Sequence, residues 1–265
     1  MATVSLRIRS LLPWLVALGL SMALPSLARA DCLPVAGTDP QVIPAAWPEP
    51  GRLRISFLGH ATFLIETPGG ASAVTDYNGT IQPPYAPDIA TMNNAHRTHY
   101  TDRPDPAIRE VLRGWSEGAE PTVHDVQVED LRVRNVPTNI RDAGGTRTSG
   151  NSIFVFEAAG LCVAHLGHLH HTLTEMHLAE LGMIDVVLAP VDGSYTIGLD
   201  GLLEVIRQIN PAVVVPMHYF GTATLGRFLE AAAASGWQVD TRSDPTIELS
   251  RVSLPYRVVL VLPGY

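Results

Sequence analysis

Four of the ten histidines, His96, His99, His168 and His218, each stand just past an apolar run. His96 and His99 lie three residues apart in a polar turn behind Ile89–Met92. His168 follows Leu161–Leu166, and His218 closes Pro216-Met217-His218 behind Ala212–Val215. Neutral imidazole is a common divalent-metal ligand, and a strand that delivers it at its end fixes where it points. Catalytic zinc sites take about three protein ligands and keep a position open for water, whose pKa the metal lowers to about 7. The pattern predicts one zinc ion, or another divalent metal, held where three distant strand ends converge. A single histidine reads equally well as a surface or hydrogen-bonded core residue, so the expectation rests on the set. His165, His170 and His171 crowd the same stretch as His168, which also reads as a histidine-rich loop with incidental metal affinity. Alternation within its strand points His165 away from His168, and His124 and His177 read as solvated.

The elements that must position these groups are short strands followed by strand–turn–helix units. Leu53–Leu58 and Thr62–Glu66 are β-rich runs around Gly59-His60-Ala61, and Ser72–Thr75 ends at Asp76 after the turn signal Pro68-Gly69-Gly70. Ile108, Val111, Leu112 and Trp115 recur at helical spacing and predict a helix over Asp105–Glu117. Val126–Val136 reads as a strand, and the glycine- and threonine-rich stretch 137–150 as a loop. Beyond it come paired strands over 152–156 and 161–166, then a helix at 174–181 and a strand at 184–190. A helix at about 200–209, a strand at 212–215, a helix at 223–234 and a last strand at 257–262 complete the chain. Such an order implies layered sheets with helices outside. With no linker dividing it, the chain reads as a signal peptide (1–30), an extended proline-rich lead-in (31–51) and a single domain (52–265).

Arg7 and Arg9 precede an apolar run over 11–27 that exits through Ala28-Arg29-Ala30. That is the layout of a secretory signal peptide cleaved after Ala30, with an uncleaved anchor as the alternative. The protein is therefore expected in the periplasm or secreted, with no stable membrane span after cleavage. Losing three arginines and no acids takes the formal charge from −8 to about −11, a balance that disfavours nucleic acid as a partner. Cys32 and Cys162 are the only cysteines. They read either as a disulfide or as two free thiols, and their spacing is not that of a thiolate zinc site. Nothing in the composition sets the oligomeric state.

Phe57-Leu58-Gly59-His60-Ala61-Thr62-Phe63-Leu64-Ile65-Glu66-Thr67 resembles the opening of the metallo-β-lactamase-fold superfamily, in particular its lactonase-like branch, the ascorbate-phosphate lactonase relatives. Asp76, His165-Leu166-Gly167-His168, Val187–Gly193 and Pro216-Met217-His218 fall where that family has its later motifs, so the likeness spans about residues 52–225. It implies an α/β fold, a four-layer αββα sandwich with the metal at one edge of the two sheets. The departures concern the ligands. In the family's His-x-His-x-Asp-His loop this chain has Asn94, His96, Thr98 and His99, and His168 replaces the bridging aspartate. A further family ligand would fall near Asn139–Arg141, where there is no histidine. The binuclear arrangement therefore does not carry over, and a single all-nitrogen site of His96, His99, His168 and His218 remains. Beside it, Asp76 is expected to hold a ligating imidazole by its other ring nitrogen. Asn94 is expected to donate to substrate or water, and His60 to an oxyanion. With Thr98 in place of the acid, proton handling falls to His171 or solvent.

Two functions fit these residues. One is an exported hydrolase that turns a metal-bound hydroxide on an ester, lactone, amide or phosphoester bond of a small-molecule substrate. The other is a non-catalytic periplasmic metal-binding or scaffold protein on the same fold. An exchangeable position on the metal separates them.

Overall fold

In the computed structural model, residues 47–264 are described, apart from 95, 119 and 143. The signal-peptide segment and Cys32 lie outside the described residues. Cys162 is disulfide-bonded.

The chain opens with β1 (Leu53–Gly59), β2 (Thr62–Glu66), β3 (Ser72–Val74), β4 (Ile89–Met92) and β5 (Glu110–Arg113). It continues through β6 (Asp125–Val128), β7 (Leu131–Asp142), β8 (Gly145–Ala158) and β9 (Leu161–His165). Next come α1 (Glu175–Leu181), β10 (Val186–Pro190), α2 (Leu199–Ile209), β11 (Val213–Met217) and α3 (Thr222–Ala234). The last elements are β12 (Gln238–Thr241), β13 (Thr246–Leu249) and β14 (Val258–Val261). Six strands form one sheet in the order β13-β1-β2-β3-β4-β5. Eight form the other in the order β12-β14-β11-β10-β9-β8-β7-β6.

Alternation along the strands explains the layers. Ile55, Phe57, Phe63 and Ile65 meet Phe154, Phe156, Val163, Leu188 and Val215 between the sheets. The intervening Val155, Ala164, Val187 and Val214 turn to the other face, under Leu181, Val205, Ile206 and Phe228 of the three helices. Strands covered on both faces read as continuous apolar runs, as Val186–Ala189 and Val213–Val215 do. The outer face of the six-stranded sheet is closed by loop residues: Tyr77, Tyr100, Ile108 and Trp115 cover Leu64, Ala90 and Met92. The result is the mixed α/β two-sheet sandwich that the sequence implied, with the described helices gathered on the eight-stranded side.

Three expectations are corrected. Residues 105–117 form no helix; β5 pairs parallel to β4, with Ile89 opposite Glu110 and Met92 opposite Arg113. Leu112 faces the intersheet core while Ile108, Val111 and Trp115 face outward, so spacing that mimics a helix belongs to a partly buried edge strand and its flanking loops, packed on two faces. The stretch 137–150 is the arm of a hairpin, with Ile140 paired to Arg147 and Asp142 to Gly145 beyond a bulge at Thr138/Ile140. Its glycines and threonines are those of exposed strand, not loop. Finally, β12 and β13 had no sequence signal strong enough to read; β13 crosses back to pair with β1 of the opposite sheet, Leu53 facing Leu249.

A candidate metal centre

β3, β4, β9, β10 and β11 run in parallel ladders, so their C-terminal ends emerge at one edge of the sandwich. Asp76 follows β3, the 93–99 loop follows β4, His168 follows β9, Asp192 follows β10 and His218 follows β11. The backbone N–H of His218 donates to the carbonyl of His60 over 2.7 Å and ties the two sheets together at this edge. His60, Asp76 and His218 all have left-handed φ, at 53°, 42° and 56°. L-residues adopt that region only where the surroundings enforce it, and such positions cluster at functional sites.

His96, His99, His168 and His218 are brought together, each offering a ring nitrogen within 4.8 Å of the other three. Nε2 of His96 lies 3.2 Å from Nε2 of His168, and Nε2 of His99 lies 3.1 Å from Nε2 of His218. The other ring nitrogen, Nδ1, points outward in every case. For His99 the partner is Asp76 Oδ2 at 2.6 Å, and for His218 it is Asp192 Oδ1 at 3.0 Å. For His96 it is the Thr98 hydroxyl at 2.7 Å, and for His168 it is His170 Nε2 at 2.7 Å.

This arrangement assigns protons. Carboxylates accept, so Nδ1 of His99 and of His218 carries the hydrogen, leaving two Nε2 lone pairs facing each other. Lone pairs at that separation repel unless a cation lies between them. Burial reinforces the neutral forms: it lowers the His168 imidazole to about 2, with the neighbouring His99 and His218 adding to the effect. Burial likewise pushes His99 well below its ordinary value, and His96 in the same direction. Neutral, inward-facing imidazoles held by outward hydrogen bonds are what a divalent ion requires, so these residues fit a metal. An all-imidazole set suits zinc, copper, iron or nickel.

Buried amides and carboxylates hold the cluster in place. Asp76 is fully buried, which raises its pKa, and His165 and the Asn93 amide pull it back. Asn93 donates to Asp76 Oδ1 at 3.0 Å and accepts from the Ser152 N–H at 2.8 Å. Asn151 accepts from the His168 N–H at 2.7 Å. Between them passes Gly167, at φ +58°, where an added Cβ would meet Asn93 Nδ2 at 2.4 Å and Asn151 Oδ1 at 2.5 Å. For Asp192, burial works against ionisation. Hydrogen bonds from His218, Thr196 and the Ser194 backbone prevail and hold it well below the usual carboxylate range.

The remaining predicted residues are placed as follows. His60 Nε2 lies 2.9 Å from the Thr98 hydroxyl, so Thr98 bridges His60 and His96. The His60 ring sits 4.3 Å from that of His218, and burial, with His218 and His99 adding, lowers its pKa to about 3. Asn94 is half-buried; its carbonyl accepts from Arg147 at 2.5 Å, and among the described contacts its side chain does not reach the cluster. His171 is a departure from expectation. Its Nε2 accepts from the Asn139 N–H at 3.1 Å and its Nδ1 donates to the Thr172 carbonyl at 2.8 Å. Nε2 is thus occupied in pinning the hairpin arm and Nδ1 in bonding its own loop, and His170 takes the place beside His168. His165 donates to the Ala61 carbonyl at 2.9 Å and accepts from the Gly167 N–H at 3.2 Å, a role in the core. His124 is half-buried and bonds the Arg113 carbonyl at 2.9 Å, and His177 completes the N-terminal cap of α1. Sequence reasoning missed Asn93, Asn151 and Asp192. Only Asp192 carried a signal, as an acid placed like Asp76 just past an apolar strand.

Residues 54–218 match the family described as the β-lactamase superfamily domain. A metal-dependent hydrolase of Pyrococcus abyssi is 28% identical over 194 residues, covering 63% of this chain and 84% of that protein. One of Methanoculleus marisnigri is 29% identical over 185 residues, covering 63% and 81%. Among solved structures, a protein of Thermotoga maritima described as a zinc-dependent hydrolase of the metallo-β-lactamase superfamily superposes with a TM-score of 0.58. The identity is 27%, over 80% of this chain and all of that one.

Proposed function

This chain belongs to the β-lactamase superfamily, and on that premise we propose that it is an exported, metal-dependent hydrolase of small-molecule substrates with a single metal ion, zinc foremost. The observation that carries the reading is the convergence of four Nε2 atoms, each imidazole braced through Nδ1. His96, His99, His168 and His218 would hold the ion. The chemistry a zinc ion would supply there is activation of water as a nucleophile near neutral pH. The metal-dependent hydrolases among its relatives support the same assignment.

The protein's own groups complete the chemistry. His96 Nδ1–H donates to the Thr98 hydroxyl, which in turn donates to His60 Nε2. That leaves the His60 proton on Nδ1, and the imidazole, neutral at pH 7, stands beside the cluster as a donor for a substrate oxygen that gains negative charge. In the reaction proposed, an ester, lactone, amide or phosphoester takes up water: hydroxyl adds at the carbonyl carbon or phosphorus, and the proton goes to the leaving oxygen or nitrogen. Export rests on the signal-like first thirty residues. Among the described residues no helix is long and apolar enough to cross a membrane.

The test is hydrolysis of a panel of simple esters, lactones, amides and phosphomonoesters by zinc-loaded protein and by His99→Ala. Turnover of at least one class, abolished in the variant, supports the reading; no turnover of any class overturns it. One observation favours a non-catalytic metal-binding protein: four imidazoles are the full complement of a closed tetrahedral site. X-ray absorption distinguishes the two, because four nitrogens plus an exchangeable oxygen belong to the enzyme and four nitrogens alone to the binder.

A further inference from the structure

Two large aromatic side chains stand exposed beside the histidines, Tyr195 at 63% and Phe220 at 62%. They lean on each other edge to face at 5.5 Å. The Phe220 ring lies 5.3 Å from that of His218 and 5.6 Å from that of His60. The chain holds them outward. Tyr219 turns inward to pack on Phe57 at 6.3 Å, which leaves Phe220 on the opposite side. Thr196 and Ile197 are buried directly after Tyr195. The Asp192 carboxylate accepts from the backbone N–H groups of Ser194 at 2.9 Å, Tyr195 at 2.5 Å and Thr196 at 3.2 Å. The same carboxylate holds His218. One buried acid therefore fixes both a cluster imidazole and the loop that presents Tyr195.

Leaving two packed aromatic rings in water is unfavourable, and a contiguous apolar surface at the mouth of a polar cluster is the usual form of a ligand subsite. We propose that Tyr195 and Phe220 form an aromatic subsite that selects substrates carrying a flat apolar group, an aryl group foremost, next to the bond that is cut. The inference rests on the hydrolase reading and supplies its substrate class. Edge-to-face and offset stacking against a phenyl ring are available from both side chains, whereas a methyl group in the same place meets little of either.

The experiment titrates zinc-loaded protein with phenylacetate and with acetate by calorimetry, and measures kcat/KM for the ethyl esters of the same two acids. Wild type is expected to prefer the aryl ligand and the aryl ester by about tenfold or more. Phe220→Ala and Tyr195→Ala are each expected to lose most of that preference. Met183→Ala, which removes an exposed side chain before the opposite end of β10, is expected to keep it. Equal binding of the two carboxylates by wild type, or a preference that survives both aromatic substitutions, overturns the subsite. Failure of the two ideas is distinguishable. A binding preference abolished by Phe220→Ala without turnover of either ester upholds the subsite against the hydrolase reading. Turnover without aryl preference does the reverse.

Discussion

Nε2 of His99 and Nε2 of His218 face each other across 3.1 Å while their Nδ1 atoms are tied to Asp76 and Asp192. Two lone pairs so placed call for a cation. Purified protein is expected to carry about one equivalent of metal by elemental analysis, and His99→Ala or His218→Ala to carry little. Two equivalents in the wild type would contradict a mononuclear centre.

Asp192 makes its outward bond as a carboxylate held low by its donors. Asp192→Asn keeps the shape but offers a weaker acceptor to His218, so metal affinity is expected to fall about 10- to 100-fold. Thr98→Val removes a hydroxyl from a partly exposed pair and is expected to cost less. Competition with a chromogenic chelator measures both, and equal affinity in wild type and Asp192→Asn would refute the bracing role.

Gly167→Ala places a methyl group against Asn93 and Asn151 at a left-handed backbone position. The expected destabilisation is about 1–3 kcal/mol, read as a lower Tm of the metal-free protein, with weaker metal retention because the His168 N–H loses its register on Asn151. An unchanged Tm would show that this turn relaxes freely.

Burial lowers His60 to about 3 and His168 to about 2, with neighbouring histidines adding. In the unfolded chain these imidazoles titrate near about 6.5. Between those limits the unfolded state binds more protons, so stability rises with pH there. Chelator-treated protein should therefore show a falling Tm from pH 7 to pH 4, and metal-loaded protein a higher Tm that falls at least as steeply, because protons also compete with the metal for the imidazoles. A Tm independent of pH across this range in the metal-free protein would contradict neutral burial of the cluster.

Replacing either Tyr195 or Phe220 by alanine is expected to remove most of the proposed aryl preference, since each ring leans on the other, as read from kcat/KM for the two ethyl esters.

Much of the fold was legible because strands buried on two faces leave continuous apolar runs, and those over 161–166, 184–190 and 212–215 marked β9, β10 and β11. The same signal misled at Ile108–Trp115, where residues facing two different cores fell at helical spacing. It was silent at β13, whose four residues acquire meaning only by pairing with β1 nearly two hundred positions away.

For the site, the sequence by itself determined the imidazoles and their places past strand ends, with Thr98 and His168 standing where the resemblance led to acids. The tertiary structure decided which nitrogens meet. It put His170 rather than His171 beside His168, gave His218 to Asp192, and set Tyr195 and Phe220 side by side at the rim. The reason is physical. Ligand type is written in each residue, whereas direction depends on parallel strand ends aligned by hydrogen-bond register and on left-handed turns at His60, Asp76 and His218, which arise only once the two sheets have closed on their common core.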